Sequence, residues 1–337
     1  MADLGTPPSS LPIVITPGDP AGIGVEVTLR ALAAAPWRPG PPPLLVGCRR
    51  WLQESHARLS AVAGGPLADP LAFELIDHPL AAPVRPGRGD AASGAASFAW
   101  LTAAVALVQQ GRARALVTGP IAKAGWHAAG HAYPGQTERL AELAGVERAS
   151  MLFTARSPRG CWRLNTLLAT THIPLAQVAT ALTPALVLGQ LDRLAGFCQR
   201  FRPQPHLVVA GLNPHAGEAG TLGREEVDWL IPTLERWRRA NPGCRLEGPL
   251  PADTCWLGAA AAWAGDGEGP DGYLALYHDQ GLIPVKLLAF DAAVNTTLGL
   301  PFLRTSPDHG TGFAIAGRGI ARPDSMAAAI HTAAELG

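Results

Sequence analysis

An α/β layered protein with a largely parallel sheet is the fold class the sequence predicts, and three observations carry it. Short apolar runs alternate with longer helix-forming stretches along the chain. The short runs are apolar throughout instead of alternating, as strands covered on both faces require. At 337 residues the chain is also too long for one ordinary core, so two domains are expected.

The elements follow in order. "LPIVIT" (11–16) reads as a strand and is followed by a helical run over 25–34. A proline-rich connection, "WRPGPPP" (37–43), leads to the strand "LLVG". Residues 91–110 are alanine-rich and helical, stopped by Gly111, and "ALVTG" (115–119) is the next strand. "TERLAELAG" (137–145) is a short helix ending at Gly145. Later strands are "SMLFTA", "LNTLLAT", "HLVVAGLN" and "GYLALY", with amphipathic helices near 177–200 and 224–239. After "LALY" come His278 and Asp279, and the spacing places Lys286 on a following strand. No internal repeat or long low-complexity linker marks a domain boundary, so the chain is free to cross between domains more than once.

Composition excludes several functions. Lys plus Arg equals Asp plus Glu, at 27 each, which gives no electrostatic case for binding nucleic acid or an anionic membrane. The cluster "ERWRRA" (235–240) reads as a solvated helix face. The most apolar stretch, 164–190, is interrupted by Asn165, Thr170, Thr171, His172, Pro174 and Gln177 and would span a membrane poorly. Five cysteines without CxxC spacing fit buried thiols in a reducing compartment. The start, "MADLGTPPSSLP", has no basic region followed by an apolar run, so a cytoplasmic protein is expected.

In parallel sheets, ligands sit beyond the carboxyl ends of strands. His172 follows "LLATT", His215 follows "VVAGLNP" and His278 follows "LALY". Three imidazoles at comparable positions suit a borderline divalent ion with an open coordination position. His56, His78, His127 and His331 lie in helical or loop stretches and read as surface residues. An anion site is the second constellation. "YPGQTERLAEL" puts Thr137 at a helix start, where free N–H groups and the dipole favour phosphate. Lys286, Asn295 and Arg304 add a point charge, an amide and a planar fork in apolar surroundings. The third is glycine-rich: "ITPGDPAGIGVEV" (15–27), which does not fit GxGxxG, and "DHGTGFAIAGRGIARPDS" (308–325), where His309 and backbone amides can approach a ligand. Asp279 and Asp253 are the carboxylates nearest these motifs, available to orient a histidine or accept a proton.

The segments "ITPGDPAGIG", "VTGPIAKAG", "GQTE", "ATTHIPL", "GLNPHAGEAGTLGREE", "GPLPADT", "YHDQGLIPVKLLAF" and "NTTLGLPFLRTSPDHGTGFAIAG" resemble, in order, those of the 4-hydroxythreonine-4-phosphate dehydrogenase family. More distantly, "PGDPAGIGVEV" and "HGTGFAIAGRGIARP" resemble isocitrate and isopropylmalate dehydrogenases. The resemblance implies two α/β/α domains flanking a cleft: residues 1–130 plus 305–337, and residues 131–304 with the substrate, metal and dimer surfaces. It implies NAD-dependent oxidation of 4-phosphohydroxy-L-threonine by a homodimer with a shared active site, NADP being the alternative cofactor. His172, His215 and His278 would hold one divalent ion (Zn²⁺, Mg²⁺ or Co²⁺) at the subunit interface, with the third histidine given by the partner chain. Gln136, Thr137, Lys286, Asn295 and Arg304 would contact the phosphorylated substrate, and His309, Gly310, Thr311 and Gly312 the nicotinamide cofactor. Two departures stand out: Gln136 where the family has histidine in "GHTE", and Val25 where it has proline. Gln136 could donate a hydrogen bond to phosphate but carries no titrating proton. It keeps open a dehydrogenase of another four-carbon phosphorylated acid, such as threonate or erythronate 4-phosphate. A phosphate acyltransferase of related fold is the alternative outside the oxidoreductases.

Overall fold

The structure is a computed structural model that describes residues 10–38, 40–62 and 64–337. Most of the segment behind the reading of the chain start, residues 1–9, lies outside them. Two compact units divide the chain: one runs up to Ala149 and resumes at Val294–Gly337, and the other is Ser150–Ala293.

The first unit begins with β1 (Ile13–Thr16), α1 (Gly24–Ala33), β2 (Leu44–Gly47), α2 (Arg49–Ser60), β3 (Leu75–Asp77), α3 (Ala91–Gln109), β4 (Ala115–Thr118), α4 (Lys123–Ala128) and α5 (Gln136–Leu143). Every residue of β1, β2 and β4 is buried, which is why these strands read as unbroken apolar runs. Helix α3 opens with a capping box: the Asp90 carboxylate accepts from the Ser93 N–H and Ser93 Oγ accepts from the Asp90 N–H. It is the one helix among the described residues long and apolar enough to cross a membrane, yet it buries Trp100, Leu101, Ala104 and Val105 and packs on β1, β2 and β4. Those contacts make it a core helix.

The second unit holds β5 (Ser150–Arg156), β6 (Arg163–Leu168), α6 (Leu175–Ala181), α7 (Pro184–Cys198), β7 (His206–Ala210), α8 (Ile231–Ala240), β8 (Arg245–Leu250), α9 (Leu257–Ala264), β9 (Gly272–Ala275) and α10 (His278–Ala289). Its strand order is β5-β6-β9-β7-β8, parallel except for β5 against β6. The chain then re-enters the first unit with β10 (Val294–Leu298), β11 (Leu303–Pro307) and α11 (Asp324–Leu336). There the order is β3-β2-β1-β4-β11-β10, with only β10 antiparallel to its neighbour.

The α/β class and mainly parallel pairing agree with the sequence reading, and four details differ. The crossings fall after Ala149 and Ala293, not near 130 and 304, because α5 packs on α3 and β10 pairs with β11. The helix expected over 177–200 is two helices, since Thr183 caps a new start by accepting from the Leu186 N–H and Pro184 occupies its first position. The helix expected over 224–239 opens as a π-helical turn, Glu226–Leu230, before α8. Lys286 lies on α10, not on a strand. The buried positions there, Gln280, Gly281, Leu282, Val285 and Ala289, follow a helical period, and a Cβ at Gly281 would lie 2.5 Å from Leu168 Cδ2. Glycine lets α10 lie close against β6.

Candidate active site

In the first unit the register sets Arg304 of β11 between Leu116 of β4 and Thr297 of β10. Its side chain is buried. Nε and Nη2 donate to Thr118 Oγ1 at 3.1 and 2.6 Å, Nη1 to Thr297 Oγ1 at 3.1 Å, and Nη2 also to Gln136 Oε1 at 3.2 Å. All these partners are neutral, and burial pushes the guanidinium down to about 10. A buried cation held only by hydroxyls and an amide has no protein charge to offset its desolvation.

Gln136 supports that cation. Its Oε1 accepts from Arg304 and its Nε2 donates to the Gly119 carbonyl at 3.0 Å. One of the two Nε2 hydrogens is thus engaged within the chain, and the sequence reads this amide as a donor to phosphate. Thr137 is the second residue of α5 and half-buried, and Asn295 is half-buried on β10 opposite Ser306.

The two glycine-rich stretches meet in this unit. The Ile23 N–H donates to the Thr311 carbonyl at 2.8 Å, and a Cβ at Gly22 would lie 2.7 Å from that oxygen. Gly312 takes left-handed φ, +54°, at the entry to a short 3₁₀ turn. His309 Nδ1 lies 2.9 Å from the Gly310 carbonyl, while its Nε2 is buried with no hydrogen-bond partner among the described residues. That orphan nitrogen and the close backbone fit a polar ligand such as a nicotinamide nucleotide.

Asp19, in the first glycine-rich turn, is fully buried. Its Oδ1 accepts from the Ala21 N–H at 2.9 Å and its Oδ2 from Ser93 Oγ at 3.2 Å. Burial, assisted by the charge of Asp90, outweighs these bonds and raises its pKa above 3.8. The folded state therefore holds this proton more tightly than the unfolded chain, so the contribution to stability is complete below 3.8 and is lost as pH rises through the raised value. Asp19→Asn is expected to raise Tm at pH 7 by roughly 2–4 °C, the gain narrowing as the pH is lowered. Melting curves from pH 4.5 to 8 check this, and a lower Tm at pH 7 would show that the charge is compensated.

In the second unit one hydrogen-bond chain joins the three histidine-bearing loops. The Leu276 carbonyl accepts from the N–H and Oγ1 of Thr170, at 3.2 and 2.8 Å, two residues before His172. The Leu276 N–H donates to Gln280 Oε1 at 2.7 Å, and Gln280 Nε2 donates to the Gly211 carbonyl at 2.6 Å, four residues before His215. Thr170 and Gln280 are buried; the sequence reading passed over both, although buried polar side chains beside a ligand motif are the signal that could have found them.

His278 is the first residue of α10, and its Nδ1 lies 2.7 Å from Asp279 Oδ1. That contact restrains the ring through Nδ1 and does not involve Nε2. The rings of His172 and His278 lie 5.6 Å apart between centroids, tilted 45°, a separation compatible with two imidazoles on one ion. His215 starts a left-handed turn: His215, Ala216, Glu218 and Ala219 have φ between 41° and 54°, with Gly217 at 78°. Each non-glycine residue there costs about 1–2 kcal/mol. Among the described residues no group of three or more His, Cys, Asp or Glu side chains converges. One chain presents two neighbouring imidazoles of chemistry suited to a divalent ion, not a complete site.

Two further candidates stand apart from this hydrogen-bond chain. Asp253 is exposed in the turn before α9, its charge adding to the burial that pushes the Cys255 thiol up to about 12. Lys286 Nζ lies 5.4 Å from the Phe290 ring centroid on α10. Ile283, Leu287 and Phe290 form an apolar stripe on that helix, 59%, 81% and 65% exposed, and Leu175, three residues past His172, is 71% exposed.

Comparisons with known proteins give the class. The chain is 63% identical over 328 residues to the 4-hydroxythreonine-4-phosphate dehydrogenase of Synechococcus sp. (strain RCC307), covering 96% of this chain and 99% of that one. It is 54% identical to that of a Synechocystis strain, covering 97% and 96%. The crystal structure of the Klebsiella pneumoniae 4-hydroxythreonine-4-phosphate dehydrogenase aligns with TM-score 0.81 at 36% identity, covering 97% and 99%. The chain is an enzyme of the oxidoreductase class. A family model described as "Pyridoxal phosphate biosynthetic protein PdxA" matches residues 43–333, and the chain belongs to that family.

Proposed function

We propose that this enzyme oxidises the 3-hydroxyl of 4-phosphohydroxy-L-threonine with NAD, NADP being the alternative. The product, 2-amino-3-oxo-4-phosphooxybutanoate, loses CO₂ to give 3-amino-2-oxopropyl phosphate for pyridoxal 5'-phosphate synthesis. The observation that carries this reading is Arg304, a buried guanidinium with only neutral partners, which a substrate phosphate would neutralise. Thr137 and Asn295 add hydrogen-bonding groups to that phosphate, and Lys286 is assigned to it by the family resemblance. Gln136 holds the guanidinium in place. Anchoring the phosphate spends remote binding energy on orienting the reacting carbon.

His172, His215 and His278 would hold a divalent ion (Zn²⁺, Mg²⁺ or Co²⁺), which would supply Lewis acidity at the substrate hydroxyl, and a bound nicotinamide would supply the hydride acceptor. Asp279 holds the His278 tautomer, and Asp279 or Asp253 is the acceptor for the hydroxyl proton. His309 to Gly312 offer the nucleotide the orphan Nε2 and a close backbone. The family resemblance has the partner chain supply the third histidine, so a second copy would complete the site. The exposed stripe of α10 supports a homodimer that covers it. Five free thiols suit a reducing, cytoplasmic setting.

The test is absorbance of reduced nicotinamide with protein, NAD, divalent metal and 4-phosphohydroxy-L-threonine, run beside threonate and erythronate 4-phosphates. Metal-dependent turnover of the first substrate is expected. Turnover of a sugar-acid phosphate alone would replace the substrate while keeping the chemistry.

A further inference from the structure

We propose that Glu226 is the positioning residue for His215, its carboxylate bracing the left-handed turn that presents the imidazole. This rests on the reading of His215 as a metal ligand. Glu226 is fully buried at the first position of the π-helical turn. Its Oε1 accepts from the backbone N–H groups of Leu212 and Asn213, both at 2.8 Å, and its Oε2 accepts from Asn213 Nδ2 at 2.8 Å. Three N–H groups, two of them backbone, thus hold the segment two and three residues before His215 to a single buried carboxylate.

The same carboxylate sits under the turn itself. A Cβ at Gly217 would lie 2.7 Å from Glu226 Oε2, so the turn passes close over the acid. On either side, the Ala216 N–H donates to the Asn213 carbonyl at 3.0 Å and the Leu222 N–H to the Gly217 carbonyl at 3.1 Å. Left-handed backbone at four non-glycine residues persists only where its surroundings over-determine it. Glu226 supplies that determination from below, and Gln280 fixes Gly211 at the start of the loop. A carboxylate presents an acceptor oxygen to every one of these donors. Glutamine would set its Nε2 against Asn213 Nδ2, donor against donor.

The test uses the full chain and Co²⁺ as the probe, its affinity read from the visible absorption of the bound ion. Metal-free samples are compared by far-ultraviolet circular dichroism and melting. Glu226→Gln is expected to keep the wild-type fold and weaken Co²⁺ binding by about 10–100-fold. Asn213→Ala, which removes one of the three donors, is expected to cause a smaller loss. It serves as the deciding variant should Glu226→Gln fail to fold. A purely structural carboxylate would lower Tm and leave the affinity of folded protein unchanged. Wild-type Co²⁺ affinity in the folded variant, with His215→Ala deficient, would overturn the proposal for Glu226. Wild-type affinity in His215→Ala would instead overturn the ligand reading on which it rests.

Discussion

Arg304→Met is expected to abolish recognition of the phosphorylated substrate while leaving the protein as stable as before, or more so. A charge-assisted hydrogen bond contributes about 1.5–3 kcal/mol. Losing two to one phosphate removes about 4 kcal/mol, roughly a thousandfold in kcat/KM. Stability is expected to respond in the opposite sense. Arg304 is buried with no carboxylate partner among the described residues, where Thr118, Thr297 and Gln136 carry its charge. Methionine approximates its volume without that desolvation, and such replacements are often neutral or stabilising by about 1–4 kcal/mol. Steady-state kinetics with 4-phosphohydroxy-L-threonine and melting with and without inorganic phosphate check both halves. Wild-type Tm should rise with phosphate by mass action, and that of the variant should not. A collapsed Tm with unchanged KM would make Arg304 a structural cation and leave the phosphate site elsewhere.

The second large effect is expected at His278. On the proposed ligand set, His278→Ala should eliminate stoichiometric divalent metal and lower turnover at least a thousandfold, because it removes one of three protein ligands. Asp279→Asn should be milder, about 10–100-fold in metal affinity, since it keeps an oxygen acceptor beside His278 Nδ1 and removes only the carboxylate charge. Metal content of the purified protein and Co²⁺ titration separate these grades. Full activity in metal-stripped His278→Ala would sink the metal assignment outright. Equal losses in the two variants would move Asp279 from orienting the ring to binding or proton transfer.

Much of this was legible in the residues. Strands such as Ile13–Thr16 and Ala115–Thr118 are buried on both faces, and burial of that kind leaves a continuous apolar run that any reader of the chain can find. The histidines were found by their place after such runs, and their loops are joined through Leu276 and Gln280. What escaped was non-local. Nothing near "HDQGLIPVK" distinguishes a strand from a helix, because a short apolar stretch containing Pro284 satisfies either period weakly. Only packing of Gly281 against Leu168 selects the helix. The partners of Gln136, Gly119 and Arg304, lie 17 and 168 residues away, which no local spacing reveals.

The sequence by itself determined the α/β class, the approximate places of most strands, the residue types available for an anion and a divalent ion, and, through its motifs, the family. These are carried by hydrophobic period and local spacing, which need no knowledge of what touches what. Tertiary structure alone decided which charges are left without a counter-ion, which polar side chains knit the histidine loops, and how the His215 turn is held in left-handed backbone. Those properties depend on burial and on hydrogen bonds between distant segments, because a group's desolvation and its partners exist only once the chain has folded.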